Sequence, residues 1–361
     1  MSRKINIGFI GCGEISQIMH IPYVHESGVM NVYSLCNTSP TPLKFMAERY
    51  HIPSERCYTN YKELLQDPQL DAVAICTHDH YAQVLAAAAA HKHIFVEKPL
   101  AFNTRQAEEM VEAADRNGVV LQVGYMKPYD PGFEYFLSKF KDIKEISHVR
   151  MHNFSGDYTF IPHIYDLCTI HEIDEATRKI REKDQNDAIE EEIRTDSPML
   201  KRAYMNMLLG TSHDSILLRL MFNDNSIHVR YADIAPDGQI LAILESKGKR
   251  FSWESHFITD RMKWDENMYV YSPECELSLH FPSPYLRNAV TKVKINENEE
   301  KTGANRDIEV TASYDESYRR EWQAFYRCII DNEKPLADGY GGLCDIRLAS
   351  EIIRMAKQNL D

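Results

Sequence analysis

The first 125 residues alternate short, nearly unbroken apolar runs with longer amphipathic ones. Ile5–Ile10, Val32–Cys36, Ala72–Cys76, Ile94–Val96 and Val119–Val123 have strand length, and Glu14–His25, Pro42–His51, Tyr81–His91 and Thr104–Asn117 between them read as helices. The last two are rich in Ala, Glu and Gln, which favour helix. Asn103 or Thr104 is placed to cap the final helix, and Asn117-Gly118 to stop it in a left-handed turn. Apolar strands alternating with helices predict a parallel sheet covered on both faces, a doubly wound α/β domain over 1–125.

The rhythm changes after about Tyr125. Ser215–Phe222, Ser226–Tyr231, Ile240–Leu244 and Cys275–His280 read as longer, alternating strands. They predict a C-terminal α+β domain over 126–339 built on a large, mostly antiparallel open sheet with one polar face. Helical spacing returns in Asp315–Ile330 (Trp322, Phe325, Ile329) and Cys344–Asn359 (Ile346, Ala349, Ile353, Ala356). The closing helices, 340–361, are expected to pack back on the first domain. Residues 165–205 stand apart: Glu172 to Arg194 hold nine acids against five bases, with a narrow apolar stripe of Ile170, Ile173, Thr177 and Ile180. This is a solvated helical insertion, or a lid or oligomer arm over a substrate pocket.

Composition narrows the function. With 361 residues, 43% hydrophobic and 26% charged, the chain has room for two globular domains. A net charge of −13 repels phosphate backbones and anionic lipids, so no nucleic-acid or membrane partner is expected. Met1-Ser-Arg-Lys runs into an apolar stretch too short for a secretory leader, and no run approaches the roughly 20 apolar residues of a membrane span. The expected location is cytoplasmic. Eight scattered cysteines without a C-x-x-C pair read as reduced thiols. No metal is expected, because the 15 histidines do not form H-x-x-x-H or H-E-x-x-H spacings with acidic partners. No G-x-S-x-G elbow supports a serine hydrolase.

The chemistry begins at Gly11-Cys12-Gly13-Glu14-Ile15-Ser16, between the first strand and the first helix. This is the dinucleotide fingerprint with Ser at the third small position. Gly11 allows the tight turn, Gly13 admits a pyrophosphate to the backbone, and the helix end offers unpaired N–H groups. NAD-specific domains place an acid at the end of the second strand, where this chain has Asn37. No Arg or Lys follows before Lys44, so NAD is favoured and NADP stays open. Glu97-Lys98-Pro99 closes the fourth apolar run and puts a lysine at the carboxyl edge of the sheet, where open α/β folds bind ligands. Such an ammonium could stabilise a developing alkoxide. By itself, Glu97-Lys98 reads sooner as a solvated strand-end pair than as catalytic machinery.

The glycine turn, Glu97-Lys98-Pro99, Val123-Gly124-Tyr125-Met126-Lys127, Thr77 to His80, and Gly210-Thr211-Ser212-His213-Asp214 together resemble the Gfo/Idh/MocA family of NAD(P)-dependent oxidoreductases. The resemblance implies an N-terminal Rossmann domain and hydride transfer between the nicotinamide and a ring hydroxyl or ketone of a sugar, glycoside or cyclitol. It implies Lys98 and His213 as catalytic residues, and cofactor contacts from Gly11, Cys12, Gly13, Glu14, Ile15, Asn37, Thr77, His80, Glu97 and Lys98. Tyr125, Lys127, Tyr158, His163 and Asp214 are candidate substrate contacts, each equally able to serve in packing. A homodimer or homotetramer is expected, from the family and from a sheet that needs cover.

The chain also departs from that family. The position four before the histidine, an Asp in relatives, is Leu209, and the later Asp position is Ile216. An orienting carboxylate then has to come from Asp214 or Asp157, or the insertion could contribute His163, Asp166 or His171; otherwise Lys98 and His213 act alone. The departure leaves a second reading open, a non-catalytic dinucleotide-binding sensor or regulator of the same fold. A reductase of an enone or imine is a third.

Overall fold

A computed structural model describes residues 3–156, 158–170, 172–258, 262–299 and 301–360. Asp157 and His171 lie outside the described residues. The chain divides into two compact units. One comprises Met1–Tyr125, Phe160–Glu192 and Tyr318–Ile346; the other comprises Met126–Thr159, Ile193–Ser317 and Arg347–Asp361. The closing segment 340–361 is therefore shared at Ile346, and the insertion 165–205 at Glu192.

The first unit holds six parallel strands: β1 (Ile5–Ile10), β2 (Met30–Cys36), β3 (Cys57–Tyr58), β4 (Ala72–Ile75), β5 (His93–Val96) and β6 (Leu121–Val123). Their order is β3-β2-β1-β4-β5-β6, so the direction of winding reverses between β1 and β4. This is the doubly wound Rossmann sheet, and its ligand crevice opens at that reversal, outside the carboxyl ends of the strands. Ile7, Phe9, Val73, Ala74, Ile94 and Phe95 are completely buried, as strands covered on both faces must be. The Ser317–Ile330 helix supplies Trp322, whose ring stacks on Phe95 with centroids 4.4 Å apart. The Asn103 side chain caps the Thr104–Asn117 helix through the Gln106 N–H, and Gly118 ends it at φ 63°.

The second unit is built on eight strands: β7 (His148–Ser155), β8 (His228–Ile234), β9 (Ile240–Ser246), β10 (Lys249–Phe257), β11 (Asp265–Tyr271), β12 (Cys275–Phe281), β13 (Lys292–Asn298) and β14 (Asn305–Val310). The order is β14-β13-β12-β11-β7-β10-β9-β8, antiparallel except where β7 meets β10. Burial alternates along β8, β9 and β10, which gives the sheet one buried face and one more exposed face.

One expected strand is a helix. Ser215–Phe222 belongs to the Ser212–Phe222 helix, where ten of eleven residues are buried. A helix buried on all sides loses its polar face, and with it the period that separates helix from strand.

Candidate functional site

In the first unit the glycine turn stands at the reversal of winding. Gly11 has φ 105°, and a Cβ there would come within 2.9 Å of the Cys76 carbonyl group, so a side chain is excluded on two counts. At Gly13 a Cβ would meet nothing within 4 Å, which leaves the backbone open to an approaching ligand. Ser16 Oγ donates to the Gly11 carbonyl at 2.8 Å and fixes the turn from within. Asn37 Oδ1 accepts from the Cys12 N–H at 3.0 Å, tying the end of β2 to the turn. Burial pushes the Cys12 and Cys76 thiols far up, so neither is a nucleophile.

The residues present fit a dinucleotide. Besides the open backbone at Gly13, His80 at the start of the Tyr81–Ala89 helix is 4% exposed, and neither ring nitrogen has a hydrogen-bond partner among the described residues. Burial, opposed by the Glu97 charge, pushes its pKa down to about 4, so the ring is neutral. Thr77 and Asn37 are half-buried along the same edge, Ile15 is half-buried, and Glu14 is exposed.

Glu97 ends β5 in a buried network. Its Oε1 lies 2.7 Å from His20 Nε2, and its Oε2 accepts from the Lys98 N–H at 3.1 Å. Gly124 makes room for it, since a Cβ there would stand 2.9 Å from Glu97 Oε1. Burial alone pushes this carboxyl up; the His20 hydrogen bond, with the Lys98 charge, outweighs it and holds it below its ordinary value. Glu97 is therefore ionised, and Lys98 beside it is half-buried. The Lys98-Pro99 peptide is cis. Tyr125, the last residue of this unit's first segment, is 1% exposed.

The insertion runs along the same edge. Gln17 Oε1 accepts from the Cys168 N–H at 2.9 Å and Gln17 Nε2 donates back to the Cys168 carbonyl at 3.0 Å. Glu172 bonds to Ser39 and Thr41 after β2, and His78 after β4 lies 2.6 Å from Gln185. At the far end the Thr104 N–H donates to Glu192 at 2.6 Å and Asn103 Nδ2 to Glu191 at 2.9 Å. Residues 168–192 thus touch the segments that follow β1, β2, β4 and β5. Asp166 pairs with Arg49, and His163 is exposed.

The second unit carries a cluster of its own. His213 is the second residue of the Ser212–Phe222 helix and is 8% exposed; a wider π-helical turn, Met207–Thr211, leads into it. Its neighbour Asp214 is fully buried, accepting from Asn153 Nδ2 at 3.0 Å and Trp253 Nε1 at 3.4 Å. Lys127 pairs with Glu266 and lies 3.9 Å from Asp214 Oδ1, while Trp264 Nε1 donates to Glu266 at 2.8 Å. One ammonium thus faces two carboxylates away from water. Burial and the Glu266 charge raise the Asp214 pKa well above the ordinary range against the pull of Lys127. Lys127 and Asp214, candidate substrate contacts by sequence, are core residues. Tyr158 is 44% exposed and packs against Tyr285 at 5.2 Å between ring centroids.

Among the described residues no group of three or more His, Cys, Asp or Glu side chains could hold a metal ion. His148 and His152 are four apart, but they lie on β7 and not on a helix.

The profile of the Gfo/Idh/MocA family, described as an oxidoreductase family with an NAD-binding Rossmann fold, matches residues 5–125. Residues 5–125 belong to the Gfo/Idh/MocA oxidoreductase family. The chain is similar to the uncharacterized oxidoreductase YrbE of Bacillus subtilis, 34% identical over 136 residues, which cover 37% of this chain and 39% of YrbE. It is also similar to the myo-inositol 2-dehydrogenase of Thermotoga maritima, 33% identical over 132 residues, 36% of this chain and 39% of that enzyme. The chain thus matches about two fifths of the length of these curated relatives. The fold of the whole chain is shared with the aldose-aldose oxidoreductase of Caulobacter crescentus crystallised with glycerol: TM-score 0.74, 18% identity, 99% of this chain and 98% of that one.

The glycine turn and the Glu97-Lys98-Pro99 element, both within the matched residues, make up the candidate site of the first unit. Sequence reasoning missed His20, Trp322, Glu172 and Glu266. His20 lies four residues past Ser16 on the first helix, a spacing that faces it toward the sheet, and is the one of these with a readable signal. Leu209, where the resemblance implies an Asp, is 38% exposed on the π-helical turn.

Proposed function

We propose that this chain is an NAD-dependent dehydrogenase of a ring hydroxyl on a sugar, glycoside or cyclitol. The observation that carries the proposal is the crevice of the first unit, where an open Gly13 and a lysine held beside an ionised Glu97 share the carboxyl edge of a Gfo/Idh/MocA domain. A matched relative is named for the oxidation of myo-inositol, which supports the substrate class. When bound, the nicotinamide accepts or returns the hydride. The glycine turn and the helix end behind it hold the pyrophosphate, and neutral His80 lines the same edge.

Lys98 donates a hydrogen bond to the substrate hydroxyl and stabilises the alkoxide as it forms. The Lys98 N–H is fixed on Glu97, so the ammonium is aimed from a rigid base. The family resemblance assigns the role of proton acceptor to His213, in the second unit. Burial and the Glu266 charge, against the pull of Lys127, disfavour a negative charge on Asp214, next along the helix from that imidazole. Tyr158 and His163, both exposed, serve as polyol contacts.

Purified protein with NAD or NADP and a panel of cyclitols, sugars and glycosides tests this at the nicotinamide absorbance. The expected result is turnover of at least one ring polyol, abolished in Lys98→Ala with cofactor binding retained. Cofactor binding without turnover of any polyol, in either direction, overturns it in favour of a sensor, the reading that Leu209 in place of an orienting acid supports. We also propose a homo-oligomer formed through the open face of the eight-stranded sheet, and a cytoplasmic location. All eight cysteines are free, and no described helix is long and apolar enough to cross a membrane. Light scattering after gel filtration checks the assembly.

A further inference from the structure

We propose that Glu172 sets the cofactor preference: its carboxylate sits at the start of the Pro40–Tyr50 helix, just past the end of β2, and excludes the 2′-phosphate that distinguishes NADP from NAD. The inference rests on the dinucleotide reading above. In dinucleotide domains the adenosine ribose faces the end of the second strand, where an acid selects NAD and a basic side chain accepts the phosphate. This chain has neither at that place. Asn37 is spent on local structure: Oδ1 accepts from the Cys12 N–H, and Nδ2 donates to the Ser39 carbonyl at 2.8 Å.

Donors that would suit a phosphate come next, and Glu172 holds three of them. Ser39 Oγ donates to Oε2 at 3.0 Å, the Thr41 N–H donates to Oε2 at 3.1 Å, and Thr41 Oγ1 donates to Oε1 at 2.8 Å. The Glu172 N–H donates back to Ser39 Oγ at 2.9 Å, so backbone and side chain are anchored together. Ser39 makes no capping bond to its own helix, and the first turn holds no acid of its own. The helix therefore gets its compensating anion from a segment more than 130 residues later in the chain. Those hydrogen bonds hold the Glu172 carboxyl below its ordinary value, so the charge is present at neutral pH. Cys168 on Gln17 and Asp166 on Arg49 fasten the segment just upstream. A 2′-phosphate arriving here meets a full negative charge and finds these three donors taken. The 2′-hydroxyl of NAD brings no charge to repel.

Isothermal titration of the full chain with NAD and with NADP, for the natural protein and Glu172→Gln, tests this. The natural protein should bind NAD at least about tenfold more tightly than NADP, the scale of one charge contact near a protein surface. Glu172→Gln keeps the shape and most of the acceptors but removes the charge. It should raise NADP affinity by about tenfold and leave NAD within about twofold, with thermal stability close to natural. Raising the salt should narrow the natural protein's preference. Equal affinities in the natural protein, or a Glu172→Gln variant whose NADP affinity does not rise, overturns the inference and leaves the dinucleotide reading standing. Binding of neither cofactor overturns both.

Discussion

The indole Nε1–H of Trp322 donates to Nδ1 of His20 at 3.2 Å. An indole N–H can only donate, so Nδ1 must be the accepting nitrogen and the ring proton sits on Nε2. That proton points at Glu97 Oε1, 2.7 Å away. A neutral imidazole therefore suffices to hold an ionised Glu97, and a helix more than 300 residues later in the chain sets the tautomer. Replacing His20 by Leu leaves a buried carboxylate without its donor. We expect a loss of about 3–5 kcal/mol in chemical denaturation. The double variant His20→Leu/Glu97→Leu should recover part of it, since neither partner then stays buried alone. A single variant within about 1 kcal/mol of the natural protein would show that the network carries no weight.

Lys127 and Asp214 make an asymmetric pair of targets. Lys127→Met leaves Glu266 and Asp214 buried together and should cost about 3–5 kcal/mol. Asp214→Asn should be much milder, because burial and the Glu266 charge already disfavour the ionised form of the natural residue. The pH dependence follows from the raised pKa. Above the unfolded value of 3.8 the folded chain keeps a proton that the unfolded chain has lost, so stability falls as pH rises toward the folded pKa. Asp214→Asn should remove that fall. Denaturation midpoints measured from acid to mildly alkaline pH check this, and equal, large losses in both variants would mean that Asp214 is ionised.

The first unit was legible because parallel strands buried on both faces leave continuous apolar runs, as Ala72–Ile75 and His93–Val96 do. The two-residue β3 is too short to leave one. What joins distant polar residues left no local mark. Lys127 meets Glu266 across 139 positions, and Ser39 meets Glu172 across 133. A glutamate in an acidic run of the insertion reads as one more solvated charge until the fold sets it on a helix end. Ser215–Phe222 went the other way: burial on all sides erased the period that would have named it a helix.

His80 should make the first unit sensitive to acid. Its folded pKa of about 4 lies below the ordinary 6.5, so the unfolded chain binds a proton in that window that the folded chain refuses. Stability is full above pH 6.5 and is lost as pH falls toward 4, by about 3 kcal/mol from this residue. His80→Asn should flatten that stretch of the profile. Urea denaturation at successive pH values is the measurement, and a slope unchanged in the variant would place the acid sensitivity elsewhere.

Gly11 and Gly13 are two residues apart and should fail in different ways. Gly11 needs φ 105°, and its Cβ would press on the Cys76 backbone, which has no flexible end to yield. Gly11→Ala should therefore lower stability by about 1–2 kcal/mol from the backbone conformation alone, with the contact adding to it. Gly13 has open space where its Cβ would go, so Gly13→Ala should fold as the natural protein does. If that space is where the pyrophosphate approaches the backbone, a methyl group there should cut NAD affinity by about tenfold or more. Thermal melting without cofactor separates the two variants, and titration with NAD then reads the second effect. A Gly13→Ala protein that melts normally and binds NAD as tightly as the natural chain would remove the pyrophosphate from the glycine turn.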